Sequence, residues 1–433
     1  MARKMKDSGI EWIGEIPEGW EVVPVRSCFD EVRTKNTDGQ EQNALQFKSG
    51  NIISKANFNA NIDDYVADTI TNYTVVLPDT VMINGLNLNY DFKSLRVALV
   101  KEKGVITSAY LAIFPDRKKI FPQYATYLFK GYETKMAFHN MGAGIRKTLG
   151  YKEFKNQPLL LPSKEEQNKI SAYLDSKCSH IDIMLSKIRS SIEEYKKLKQ
   201  AVITQAVTKG VRGEREMKDS GVEWIGEIPT EWSITKIKSG VTKIGSGKTP
   251  SGGAETYTDS GVIFLRSQNI YDCTLNLESP TYISPEVDAT MKSTRVLPDD
   301  VLLNITGGSI GRCSIVPKTL GLANVNQHVC IIRTNPLIFL PKYMQYFWVS
   351  TLGHLAIDLY QTGGNREGMS ADAIRNTPIP YAPLNEQKEI ADYLDAKCAE
   401  IDKLIAKKEQ LVKELESYKK SLIYEVVTGK REV

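Results

Sequence analysis

Residues 165–182 read EEQNKISAYLDSKCSHID, and 220 positions later residues 385–402 read NEQKEIADYLDAKCAEID. The correspondence holds without a gap from Ser163–Thr208 to Pro383–Thr428. An internal repeat of this length governs every other assignment. In the first copy Leu174, Cys178, Ile181, Leu185, Ile188, Ile192 and Tyr195 step by four and three, the a/d pattern of a coiled-coil seam. Leu198 then follows after three residues and Val202 resumes, and Tyr418 takes the same short step in the second copy. A stutter shared by both copies predicts two helices packed in register. Ser163 with Glu166 forms a capping-box pattern, Asn385 stands ready to cap the second helix, and Gly210 and Gly429 lie just past the two ends. Only Lys209 to Glu216 links the first helix to the next globular segment, and the second helix leaves that segment at Pro383. Connectivity therefore predicts antiparallel helices. About 44 residues at roughly 1.5 Å each give a rod of about 65 Å, with a globular head at either end.

The rest of the 433-residue chain, 41% hydrophobic, is long enough for two or three domains with real cores. The opening MARKMKDSG has no apolar run, and no stretch approaches the length of a membrane span, so neither secretion nor membrane insertion is expected. Six cysteines form no CxxC pair, and Cys178 and Cys398 fall at matching helix positions, which predicts packing thiols in a reducing cytoplasm. The formal charge of +4 is unevenly spread. Between Lys93 and Lys155, thirteen basic residues face four acids, a surface suited to phosphate.

A second repeated block opens each half: MKDSGIEWIGEIPEGW at Met5–Trp20 returns as MKDSGVEWIGEIPTEW at Met217–Trp232. The tryptophans are expected to pin the chain by burial. Between block and helix, short β-branched and aromatic runs alternate with Gly, Pro and Asn turns, followed by helical stretches near Pro122–His139 and Pro341–Tyr360. The fold class is α+β: two mixed α/β modules separated by an antiparallel two-helix coiled coil, related by an internal pseudo-two-fold repeat. The expected divisions are a first module over 1–162, a long helix over 163–209, a second module over 210–382 and a second helix over 383–433.

The modules diverge in sequence but share landmarks. FKSGNI at 47–52 answers LRSQNI at 265–270, setting Lys48 opposite Arg266 and Asn51 opposite Asn269. LPDTVMIN at 77–84 answers LPDDVLLN at 297–304, and the turn-rich loops GLNLNYDFK and ITGGSIGR follow. MGAGIRKTL at 141–149 answers QTGGNREGM at 361–369, setting Arg146 opposite Arg366. Glycine loops bearing an Arg and amide side chains suit contacts to phosphates and base edges. Catalytic signatures are missing. GSGKT at 245–249 has Thr242 where a phosphate loop needs Gly, the four histidines form no ligand cluster, and no amino-methyltransferase NPPY or DPPY occurs. Asp79, Asp91 and Lys93 match a loose nuclease spacing that the second module does not repeat.

This layout resembles the DNA-specificity subunit of type I restriction-modification enzymes. An opening GEIPxxW block, a variable module and an EQxxIxxYLDxKxxxID helix, each used twice, cover nearly the whole chain. DVLLNITGGSIGR at 300–312 and KTPSGG at 248–253 also resemble that family's second module, whereas NGLNLNYDF departs from it. The resemblance implies that each module is a target-recognition domain reading half of a bipartite site in double-stranded DNA, with the helix pair setting the gap and docking partners. It implies a subunit that is not itself catalytic and holds no cofactor. Two modification subunits would carry S-adenosylmethionine, and two restriction subunits would use ATP and Mg to translocate. The candidate DNA contacts are Lys48, Asn51, Asn84, Lys93, Arg96, Arg146 and Lys147 in the first module. In the second they are Lys248, Thr249, Arg266, Asn269, Asn304, Arg312 and Arg366. A coiled-coil scaffold without DNA readout is the alternative.

Overall fold

The LPD turn found in both modules begins the central strand of each. Pro78 and Pro298 take the second turn position, and Asp79 (φ 75°) and Asp299 (φ 70°) take the third, the left-handed place of a type II turn. Each turn closes through its fourth residue: Thr80 N–H donates to the Leu77 carbonyl at 3.1 Å and Asp300 N–H to the Leu297 carbonyl at 3.1 Å. The computed structural model describes residues 3–55, 70–92, 95–141, 147–361 and 368–433. The chain divides into two units, Met1–Arg189 with Gln410–Val433, and Ser190–Glu409.

In the first unit an antiparallel sheet joins β1 (Phe29–Glu31), β2 (Val81–Ile83), β3 (Val97–Leu99) and β4 (Leu111–Pro115) in the order β1-β4-β2-β3. Its buried face packs on helix α1 (Pro122–Thr134), whose Tyr124, Leu128, Phe129 and Tyr132 are all sunk in one apolar core. Pro122 starts that helix where an N–H would be unpaired anyway. The Phe121 N–H before it donates to Gln167 Oε1 at 2.9 Å, on the long helix α2 (Lys164–Lys209).

The second unit repeats the scheme. Strands β5 (Val241–Ser246), β7 (Val301–Asn304), β8 (Cys313–Ile315) and β10 (Val329–Thr334) form an antiparallel sheet in the order β5-β10-β7-β8, matching the first unit strand for strand. A second sheet contains β6 (Val262–Leu265) parallel to β9 (Ala323–Val325). Helix α3 (Pro341–Val349) covers the core, and the Leu340 N–H before it donates to Gln387 Oε1 at 2.9 Å, on the second long helix α4 (Leu384–Val427).

A further pair of matched contacts locks each opening block. In the first unit Trp20 Nε1–H donates to Glu166 Oε2 at 2.8 Å while Arg3 pairs with Glu166 and lies over the Trp20 ring. In the second, Trp232 Nε1–H donates to Glu386 Oε2 at 2.9 Å, and Arg215 pairs with Glu386 and lies over the Trp232 ring. The Glu166 carboxylate is thus spent on Trp20, so only half of the expected capping box forms, the Glu166 N–H donating to Ser163 Oγ at 3.3 Å. The N-terminal block also meets the end of α4. Tyr424 Oη–H donates to the Trp12 carbonyl at 2.8 Å, and Gly429, left-handed at φ 71°, lies so close to Pro17 that a Cβ there would come within 2.3 Å.

Within each unit the long helices run antiparallel. In the first unit Asp182 pairs with Lys419 and Arg189 with Glu416; in the second, Tyr195 lies beneath Lys408 and Lys199 pairs with Asp402. The shared stutter is absent. Leu198 and Tyr418 face solvent, and the seam steps by four from Tyr195 to Lys199 and from Leu415 to Lys419, keeping an unbroken heptad. The apolar stem of each lysine fills the seam while its ammonium reaches an aspartate on the facing helix. Periodicity of apolar residues alone misses this, because a seam position held by lysine reads as polar.

Candidate nucleic-acid interface

In the second unit the strand ends bring distant loops together. Strands β5, β6, β7 and β9 all finish beside the turn at Asn326–His328, and backbone bonds tie them there: Gly247 N–H to the Val329 carbonyl at 2.9 Å, Lys248 N–H to Val325 at 3.2 Å, Asn326 N–H to Leu265 at 3.0 Å and Ile305 N–H to His328 at 3.0 Å. Gly247 is required by this approach, since a Cβ would stand 2.0 Å from the Val325 carbonyl oxygen. Thr306 bridges to Gly368 and its Oγ1 lies 2.6 Å from His328 Nδ1. Loops from residues 247–253, 266–269, 305–312 and 326–328 therefore share one surface.

The candidate side chains divide by what they already hold. Lys248 and Thr249 are exposed at the loop tip. Arg312 is half-buried with its guanidinium 4.6 Å from the centre of the Tyr271 ring, and Arg266 lies 5.6 Å over Tyr257. A flat aromatic beneath a guanidinium orients it without using its hydrogen bonds. Asn269 and Asn304 are instead turned inward. Asn269 accepts from Arg266 N–H at 2.9 Å and donates to the Asn276 carbonyl at 3.0 Å; Asn304 Nδ2 donates to the Ser267 carbonyl at 2.8 Å and to Ser309 Oγ at 3.1 Å. These two amides form the floor of the loop cluster: Asn269 is satisfied within the protein, while Asn304 bonds only through Nδ2 and its Oδ1 is buried without a partner. The supporting rings Tyr257 and Tyr271 are not visible as a pattern, since each meets its arginine across a fold rather than along a repeat.

The first unit assembles the corresponding landmarks. Lys48 and Asn51 are exposed partners across a two-residue hairpin turn whose Ser49 (φ 49°) and Gly50 (φ 71°) have the positive φ values of a type I′ loop. Gly50 lies against Leu95, joining the hairpin to the loop after β2. That loop is held to residues 147–149 by Leu88 N–H to the Lys147 carbonyl at 3.2 Å and Leu149 N–H to Gly85 at 2.9 Å, with Lys147 exposed. Asn84 Oδ1 accepts from Leu86 N–H at 3.2 Å, so it shapes its own turn. Arg96 is 0% exposed: Nη1 donates to the carbonyls of Asn84 and Leu86 at 2.9 Å each, and Nη2 donates to the Asp91 carbonyl at 2.5 Å. Its role is to gather the loop from beneath. The Arg96 N–H is held by Glu133 Oε1, whose carboxyl burial pushes up to about 7 against the lowering effect of that bond and of neighbouring cations. Lys93, Arg146 and Arg366 lie outside the described residues. Asp79 pairs with Arg117 and Asp91 with Arg96, so neither carboxylate is arranged with the other. Among the described residues no cluster of His, Cys, Asp or Glu could hold a metal, and no helix is long and apolar enough to cross a membrane.

Residues 229–414 match the type I restriction modification DNA specificity domain. The putative type I restriction enzyme MjaX specificity subunit of Methanocaldococcus jannaschii is 25% identical over 434 residues, covering 96% of this chain and 95% of its own. The MjaVIII specificity subunit of the same organism is 25% identical, covering 96% and 93%. Among solved structures, a chain from a study of complex assembly and conformational transition of the type I R-M system aligns at TM-score 0.71 with 15% identity, over 96% of this chain and 99% of that one. The HsdS subunit from Thermoanaerobacter tengcongensis aligns at 0.50 with 15% identity, over 96% and 98%. Residues 229–414 thus match the type I restriction modification DNA specificity domain, and over nearly its whole length the chain is similar to type I restriction enzyme specificity subunits.

Proposed function

We propose that the chain is the non-catalytic subunit that selects DNA in a type I restriction-modification complex, each unit's loop cluster reading one half of a bipartite duplex site. The observation that carries the reading is the meeting of four loops around Asn326–His328, with Lys248 and Arg312 set beside a floor of buried amides. Rigid loops and aromatic-backed cations are what phosphate positioning needs, and variable side chains among them supply base readout. The paired helices would set the unspecified spacer and dock two modification subunits, with S-adenosylmethionine bound there rather than here. Two restriction subunits using ATP would complete the complex in the cytoplasm. A scaffold without DNA readout would have no use for a duplicated cationic loop cluster. The test is duplex binding by the chain co-expressed with its modification subunit. Arg312→Ala and Lys248→Ala should each weaken binding across sequences and reduce the salt slope by about one. Unchanged affinity and slope in both would remove this surface from the interface.

A further inference from the structure

The loop after β2 displays two large aromatics on a cationic surface: Tyr90 is 71% exposed and Phe92 57% exposed. Single exposed apolar residues are common, but this pair stands on a backbone held from several directions. Tyr90 and Asp91 N–H groups donate to the Asn87 carbonyl at 3.1 and 3.0 Å, and the buried Arg96 guanidinium gathers the carbonyls at 84, 86 and 91. His139 Nε2 lies 3.1 Å from the Asp91 carbonyl, and its ring stacks on Phe92 with centroids 5.1 Å apart and planes 11° apart. Phe92 thus has one face supported and is still largely open. The Asp91 carboxylate lies 3.7 Å from Arg96 Nη2, which offsets the one negative charge of the loop. Exposed Lys48 and Lys147 stand on the elements packed beside it.

We propose that Tyr90, two residues before Phe92 on its His139 platform, enters the duplex at the first half-site and stacks on a base, opening one base step. This rests on the DNA-reading function proposed above. An exposed ring on a braced backbone beside cations matches the face of a nucleobase, and wedging apolar side chains between base pairs is a recurrent way of bending DNA. The loop at the matching place in the second unit, ITGGSIGR, has no aromatic residue. The two half-sites are therefore read differently: the first includes a preference for an easily unstacked pyrimidine–purine step at the point of entry, and the second does not.

The experiment uses the chain in complex with its modification subunit and duplexes carrying 2-aminopurine at successive positions of the first half-site, once methylation-aware sequencing has defined that site. The expected result is a fluorescence rise at one step, abolished in Tyr90→Ala, kept in Tyr90→Trp, with Tyr90→Ala binding roughly 10- to 100-fold weaker. Methylation specificity for the second half-site should stay unchanged in Tyr90→Ala. Wild-type binding with no fluorescence rise at any position would overturn the wedge and leave the DNA-reading function standing. Loss of assembly with the modification subunit in Tyr90→Ala would make Tyr90 a protein contact, which also overturns it. Failure of the wild-type complex to bind any duplex sequence specifically would sink the underlying function itself.

Discussion

The duplicated Trp–Glu–Arg contact allows one substitution to be made in two settings. Glu386 has a side chain only 2% exposed, and its partner Arg215 is 13% exposed; Glu166 and Arg3 are 24% and 30% exposed. Glu386→Ala would leave the Arg215 guanidinium buried with the Lys209 carbonyl at 3.0 Å as its remaining polar neighbour, its Nε already lacking a partner. It would also strand the Trp232 indole N–H. Removing one partner of a buried ion pair costs about 3–5 kcal/mol, most of it the uncompensated charge. Glu166→Ala loses a solvent-screened pair worth at most about 1 kcal/mol and one indole hydrogen bond worth about 1 kcal/mol. The expected losses are thus about 4 kcal/mol and about 2 kcal/mol. Hydrogen exchange of peptides spanning the start of each long helix would measure the local opening free energy in either variant. Glu386→Gln, which keeps an oxygen for Trp232 but no charge for Arg215, should fall between. Equal losses at the two sites, or a larger one at Glu166, would show that burial does not set the strength of this contact.

Gly247→Ala forces a methyl group against the Val325 and Asn326 carbonyls, so it should cost about 1–3 kcal/mol as overpacking. A selected methylation motif should then show a relaxed second half-site and an intact first one. Burial raises the folded-state pKa of Glu133 to about 7 from its ordinary 4.5, so the folded chain holds a proton that the unfolded chain has released between those values. Stability should therefore fall as pH rises from about 4.5 to about 7. Glu133→Gln, fixed in the neutral form, should remove that slope and melt above wild type at pH 8 but not at pH 4.5; parallel pH profiles would refute the assignment.

Much of this molecule was legible because it is written twice. The offset between copies located the long helices, their glycine caps and the LPD turns, and the matched landmarks 47–52 and 265–270 proved to be neighbours of the loops that follow β2 and β7. What pattern could not supply was the direction in which a polar side chain points. Arg96, Asn269 and Asn304 carry the right chemistry at the right places, yet burial turns each toward backbone carbonyls. Lys199 and Lys419 were hidden for the opposite reason, a charged residue occupying an apolar position by its stem. The Trp–Glu–Arg contact could have been found, since Arg3 and Arg215 share the offset of the tryptophans and Glu166 and Glu386 that of the helices.

The lysine–aspartate pairs of the seam have an evolutionary corollary. The first helix carries both partner types, Asp182 and Lys199, and the second carries both again, Asp402 and Lys419. Either helix is therefore complementary to a reversed copy of itself, so a half-length ancestor could have paired with its twin through the same two contacts before duplication joined them. Lys408 breaks that equivalence: it rests over Tyr195, where the first helix has Ile188. Once joined, the two copies no longer needed to stay alike, and Lys408 against Ile188 is where they have parted.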